Sequence, residues 1–360
     1  MKVDGETQMI SKPKIIAFYL PQFHAIPEND KWWGKGFTEW TNVRRAKPLF
    51  SGHNQPRVPL NDNYYDLSDV NVLKWQSELA KKYNVYGFCF YHYWFDGKLL
   101  LEKPVENYLK SSEINTPYCF SWANEPWTRS WDGKNNNILM AQNYGGLEDI
   151  KKHFEYLLPF FEDSRYIKID NKPVFLFYRA NSITYYNQLI NEWNNYLLAK
   201  GFSGLYSVET LTGFQRKKYS DLTEACVYME PMYSLSKKKW IEKHIDNLRL
   251  AFNMSKRVSY SAVWDKILKY ENVGPKYFGG AFVDWDNSAR KKNKNLVFKN
   301  VSIDMFSKYF SIQYQKVKKS GSPFIFINAW NEWAEGTYLE PDEKNKYRFL
   351  ESIKQITSEL

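Results

Sequence analysis

The chain has 360 residues, 43% of them apolar and 18% aromatic, with a formal charge of +10. That length allows one large α/β domain or two smaller ones, and the apolar share excludes a chain too polar to bury a core. Three cysteines, each alone in an apolar run, exclude a disulfide framework, and no stretch of about 18 consecutive apolar residues offers a transmembrane helix.

In chain order, MKVDGETQMISKPK (1–14) comes first and lacks the apolar segment of a secretory signal, so residues 1–14 read as an extension. With reduced thiols, this points to a cytoplasmic protein. Short runs rich in β-branched and aromatic residues then recur: IIAFYL (15–20), YGFCFYHYW (86–94), PYCFSWA (117–123), PVFLFY (173–178), LYSVE (205–209), ACVYME (225–230), GGAFVDW (279–285) and PFIFINAW (323–330). They lack polar alternation, as strands buried on both faces do. Helical periodicity separates several of them, through Val72–Tyr83, Ile150–Phe161, Leu189–Leu198, Ile303–Phe310 and Tyr347–Ile356.

Eight strands alternating with helices predict a single (β/α)8 barrel over residues 15–360 with long βα loops. A doubly wound open sheet is the alternative, but YLPQFHAIPENDKWWGKG after the first strand is no glycine-rich nucleotide turn. The interval between LYSVE and ACVYME is too short for a full helix, so that crossover is abbreviated or one strand is misassigned. Residues Pro21–Asp66 lack helical periodicity and read as a loop walling the site.

Polar and aromatic side chains gather at the strand ends. They are Gln22 and His24; Tyr91, His92, Tyr93 and Trp94; Trp122, Asn124, Glu125, Trp127 and Arg129; Glu230; Asp284, Asp286, Asn287 and Arg290; and Trp330, Asn331, Glu332, Trp333 and Glu335. Carboxylates, amides and indoles suit glycoside chemistry: acids protonate a leaving oxygen or activate a nucleophile, while aromatic faces hold sugars. Glu332 and Glu335 share a face only if the chain turns after Trp330; such closeness favours retention over inversion.

Each residue also has a plainer reading. Glu125 is either a third acid or a carboxylate orienting Arg129; His24 and His92 bond substrate or loop backbone; Asp286, Asn287 and Arg290 bind hydroxyls or cap a loop. Trp32, Trp33 and Trp40 meet substrate or lie under their own loop. DWD (284–286) also has the form of a divalent-metal motif of nucleotide-sugar transferases, but no nucleotide fold precedes it. Five histidines without paired spacing predict no metal site and no cofactor. The lysine runs KKKW (237–240) and ARKKNKN (289–295) are a solvated face, or a surface for anionic membrane or a lipid-linked glycan at its inner face; nothing signals nucleic acid.

WNEWAEG followed by TYLEP (330–341) resembles the WNEWxEG segment of glycoside hydrolase family 99, the endo-α-mannosidases and endo-α-mannanases. FYLPQFHAIPENDKWWGKGFTEWTNV, AKPLFSGHNQP, YGFCFYHYWFDGKLLLEKP, WANEPWTRSWDG, WDNSAR and NAWNEWAEGTYLEP resemble the WbsX-like proteins of bacterial polysaccharide and lipopolysaccharide clusters, commonly labelled glycosyltransferases. The resemblance implies a (β/α)8 barrel acting on α-linked manno-configured or related deoxy sugars with retention. It gives Glu332 the role of base toward the sugar's own 2-hydroxyl and Glu335 that of acid, then base. Ala334 stands where the hydrolases usually have His. Two other readings remain: a sugar-nucleotide-dependent glycosyltransferase, and a glycan-binding barrel without turnover.

Overall fold

The structure is a computed structural model that describes residues 11–128, 138–236, 255–291 and 295–360. Eight parallel strands run β1 Lys14–Tyr19, β2 Gly87–Phe95, β3 Tyr118–Trp122, β4 Lys172–Phe177, β5 Tyr206–Leu211, β6 Ala225–Tyr228, β7 Tyr277–Phe282 and β8 Phe324–Asn328. Each pairs with the next, β8 pairs with β1 (Ala17 opposite Ile327), and β1 pairs with β2 (Phe18 opposite Cys89), so the sheet closes. This is a (β/α)8 barrel, and all eight apolar runs supply its strands.

The outer helices are α1 Val70–Lys82, α2 Lys103–Lys110, α3 Gly146–Glu162, α4 Tyr186–Ala199, α5 Tyr260–Leu268, α6 Ile303–Lys319 and α7 Arg348–Glu359. Side-chain caps start three of them: Asp69 accepts from Asn71 N, Ser259 from Ala262 N and Ser302 from Met305 N. Helices α2 and α5 are short, and too few apolar repeats mark them in sequence. The loop after β1 carries two more short helices, Pro27–Trp33 and Glu39–Arg45, where no helical period is visible.

No helix joins β5 to β6, and both are true strands. Buried Glu209 replaces the helix as the organiser of this crossover. Its carboxylate accepts from Gln215 Nε2 (2.6 Å), Tyr219 N (2.5 Å), Ser220 N (2.9 Å) and Thr223 Oγ1 (2.7 Å), so the loop's polar groups are satisfied without helical bonds.

Much of the aromatic surplus is core. Trp122, Trp193, Trp264, Trp330 and Trp333 are fully buried, and Cys89, Cys119 and Cys226 are buried free thiols. Among the described residues no helix is long and apolar enough to cross a membrane.

Candidate active site

At the C-terminal end of β8 the chain leaves the extended state. Asn331–Glu332 pairs antiparallel with Thr337–Tyr338, and a 3-10 turn, Trp333–Glu335, lies between them. Gly336 closes the turn at φ 66°, and a Cβ there would lie 2.9 Å from Asp286 N, so only glycine suits the position. The turn is braced from behind. Trp330 N donates to Phe18 O (2.7 Å), Asn331 exchanges two hydrogen bonds with the Leu20 backbone (2.8 and 3.0 Å), and Trp333 stacks on Tyr338 at 3.8 Å.

Trp330, Asn331 and Trp333 are therefore buried supports and line no part of the cavity, contrary to their expected role in binding substrate. The indoles fill space that the turn would otherwise leave open, and the Asn331 amide is spent on β1. Glu332 and Glu335, which the sequence places three apart, project together into a cavity of about 280 Å³.

One guanidinium ties the acids together. Arg290 Nη2 donates to Glu332 Oε2 (3.1 Å), Nη1 to Glu335 Oε1 (2.6 Å) and Nε to Glu39 Oε2 (3.1 Å). Arg290 belongs to a basic run that reads as surface, yet its side chain is only 8% exposed. Three carboxylates around one cation leave an excess of negative charge that a closed site resolves by keeping a proton. Burial pushes the Glu332 carboxyl up to about 8, and although Arg290 opposes this, Glu335 and Glu39 add to it. Burial likewise raises Glu39.

Aromatic rings wall the cavity. Tyr91 and Tyr93 come from β2, Trp127 follows β3, Tyr178 follows β4, and Trp33 reaches over from the first loop. Gln22 lines it too, buried, with no hydrogen-bond partner at its Nε2. Glu125 faces the same space, and its carboxyl is raised by burial against the opposing pull of Arg179. Its ion pair is with Arg179; Arg129, its expected partner, lies outside the described residues. Glu39 and Tyr178 carry weak sequence signals: one is an acid inside FTEW, the other the last residue of PVFLFY.

Several residues expected at the site are elsewhere. On β2, Tyr91 and Tyr93 face inward, so the two-residue period of a strand turns His92 and Trp94 outward under α3. There His92 Nε2 meets His153 Nε2 at 2.8 Å, and Trp94 stacks on His153 (4.6 Å, 2°) and donates to Asp149 Oδ1. Trp122, paired opposite His92, shares that outer face and donates to Trp94 O. Asn124 clamps the β4 end, bonding the Arg179 backbone at both its amide nitrogen and oxygen. His24 Nδ1 lies 3.0 Å from Pro21 O and serves the loop. Trp40 is buried, with Nε1 on Tyr65 O, and Trp32 packs edge-on against Trp127.

The DWD aspartates lie behind the acid turn on a second cavity of about 200 Å³. Asp286 accepts from Gln55 (2.7 Å) and pairs with His53 (2.8 Å), and Asp284 pairs with Arg57 (2.9 Å). Burial would raise Asp286, but His53 and Arg57 bring it down to about 2. Both carboxylates are thus consumed by internal partners. Asn287 Oδ1 accepts Leu296 N and is a loop cap. Among the described residues no group of three or more His, Cys, Asp or Glu is placed to hold a metal ion. KKKW and residues 292–294 lie outside the described residues.

A (β/α)8 barrel with paired carboxylates and aromatic walls at its C-terminal rim is the architecture of a carbohydrate-active enzyme. The model of the family described as Glycosyltransferase WbsX matches residues 15–353, and the chain belongs to that family. It is 34% identical over 355 residues to the uncharacterized protein WxcX of two Xanthomonas campestris pv. campestris strains, B100 and ATCC 33913. The match covers 95% of this chain and 49% of WxcX, so the chain spans about half the length of those relatives. Among solved structures it is similar to a glycoside hydrolase-like protein (TM-score 0.61, 13% identity, 96% of this chain and 94% of that one). The GH99 endo-alpha-mannosidase from Bacteroides thetaiotaomicron is also similar (TM-score 0.52, 15% identity, 96% of both chains). At these identities the structural likeness speaks for the fold.

Proposed function

We propose that the protein cleaves or transfers α-linked manno-configured or related deoxy sugars of a surface polysaccharide with retention, through Glu332 and Glu335. The observation that carries this is the convergence of both carboxylates on one aromatic-walled cavity, bridged by Arg290. In the first step the Glu332 carboxylate removes the proton from the sugar 2-hydroxyl. That oxygen forms a bond to the anomeric carbon as the bond to the leaving oxygen breaks, and Glu335 protonates the departing group. In the second step Glu335 takes a proton from water, or from an acceptor hydroxyl, as its oxygen attacks the anomeric carbon. The 1,2-anhydro ring opens and Glu332 returns the proton to O2.

The proton that Glu332 holds up to about 8 must sit on Glu335 for the pair to react, so kcat/KM falls once the pair loses that proton above pH 8. Tyr91, Tyr93, Trp127 and Tyr178 offer ring faces, and Gln22 offers an amide donor to a hydroxyl.

The second reading, a sugar-nucleotide-dependent transferase, is supported by the family's description. Against it stands the charge of the cavity, which among the described residues sets Glu125, Glu332 and Glu335 against Arg290. That balance disfavours a diphosphate.

Incubation with α-mannan or surface-polysaccharide fragments, and separately with sugar nucleotides plus acceptor, tests the proposal in wild type and Glu335→Gln. Glycan cleavage or transfer without nucleotide, lost in the variant, is the expected result. Turnover that requires a sugar nucleotide overturns it, and equal binding by both proteins without turnover leaves a glycan-binding barrel.

A further inference from the structure

The site contains a carboxylate that the mechanism does not use. Glu39 begins the short helix of the first loop and is fully buried. Its Oε2 accepts Arg290 Nε, and the Asn42 side chain, one turn along the helix, also stabilises the carboxylate. The Glu39 backbone N–H donates to Gln22 O (3.1 Å), and the next residue, Trp40, packs 5.4 Å from Trp333 in the acid turn. The first loop, the turn bearing Arg290 and the turn bearing the acids therefore meet at one planar guanidinium.

A guanidinium is a rigid fork, so fixing Nε fixes where both terminal nitrogens point. With Nε held only by solvent, Arg290 could rotate away from one acid. We propose that Glu39 is a positioning residue: by anchoring Nε of Arg290 it aims Nη1 at Glu335 and Nη2 at Glu332, and its charge competes with theirs for the guanidinium. The catalytic part of this rests on the reading of the pair as the reacting acids; the coupling itself does not.

The charged groups facing Glu332 are Arg290, Glu335 and Glu39, with Glu125 across the cavity; the hydroxyls of Tyr91, Tyr93 and Tyr178 are raised by burial and neighbouring carboxylates, and remain neutral. Of the acids nearest Glu332, Glu39 is the one outside the reaction. Removing its charge leaves more of the Arg290 charge to the pair and makes Glu332 easier to ionise.

The test separates charge from geometry. Protein carrying 13C at the glutamate δ-carbons is titrated by NMR, with kcat and KM measured on α-mannan oligosaccharides. Glu39→Gln keeps the volume and removes the charge; the Glu332 midpoint falls by about one pH unit or more, and the alkaline limb of kcat/KM moves with it. Glu39→Asp keeps the charge but is one methylene short of Nε; the midpoint stays high while kcat drops about tenfold at unchanged KM. A midpoint unmoved in Glu39→Gln, or kcat within about twofold of wild type in Glu39→Asp, overturns the proposal. Lower thermal stability with neither change would make Glu39 merely structural. If wild type shows no turnover but the midpoint still shifts, the coupling stands and the enzymatic reading fails.

Discussion

Replacing Glu332 by Gln should abolish turnover and at the same time make the protein more stable. The ordinary glutamate value is 4.5, and the folded site lifts it to about 8, chiefly by burial. Between those values the folded state binds a proton that the unfolded chain releases, so stability falls as pH rises through that window. At about 1.4 kcal/mol per pH unit, the cost reaches on the order of 3 kcal/mol at pH 7 and levels off above pH 8. Gln cannot ionise, so most of that cost disappears. With an unfolding entropy of about 2 cal/mol/K per residue, the gain raises Tm by roughly 4 °C. Thermal unfolding of both proteins at pH 5, 7 and 8 is the assay: the gap should be small at pH 5 and widen toward pH 8. A gap independent of pH, or a wild type more stable at pH 8, would refute the account of the acid cluster.

Two further outcomes follow from buried groups behind the site. Glu340 accepts Gln76 Nε2 (2.6 Å), Tyr65 Oη (2.7 Å) and Trp333 Nε1 (2.7 Å), so it fixes the indole inside the acid turn. Glu340→Gln sets an amide donor against one of these donors. It should lower kcat, and because burial also raises Glu340 to about 7 the lost hydrogen bonds are partly offset in stability by a relieved ionisation cost; an unchanged kcat would remove Glu340 as a brace. His92 is held down to about 3 by burial, so its stabilising contribution is full above 6.5 and is lost as pH falls. By pH 5 the loss is about 2 kcal/mol. Glu332 and Glu340 have the opposite slope there and the buried partner His153 has the same one, so the measurement belongs in the Glu332→Gln background, where His92→Gln should reduce the acid-side slope without removing the share of His153. A slope unchanged by His92→Gln would place its origin elsewhere.

The barrel was legible because its signals are local. A strand buried on both faces reads as an unbroken apolar run, and all eight runs became strands, including ACVYME after a crossover too short for a helix. That the crossover could dispense with a helix was not legible, since Glu209 gathers its partners from as far as Thr223. In the candidate site, sequence brought Glu332 and Glu335 forward by their spacing among tryptophans. It could not say that the chain turns after Trp330, because that turn depends on Asn331 bonding the Leu20 backbone, 311 residues away.

Side-chain direction was the larger loss. Tyr91, His92, Tyr93 and Trp94 are equally good sugar ligands by type, and only the strand's period and the placement of α3 divide them into cavity and core. Arg290 reads in sequence as a hydroxyl ligand, a loop cap or part of a basic run, and only the fold sets it against three acids, two of them from its own end of the chain and one, Glu39, from 251 residues earlier. Sequence by itself determined the strand count, five of the seven described outer helices and the spacing of the two acids, all written in short-range periodicity. Tertiary structure decided which groups share a charge environment, because electrostatic energy depends on distance and burial, and neither is set by position along the chain.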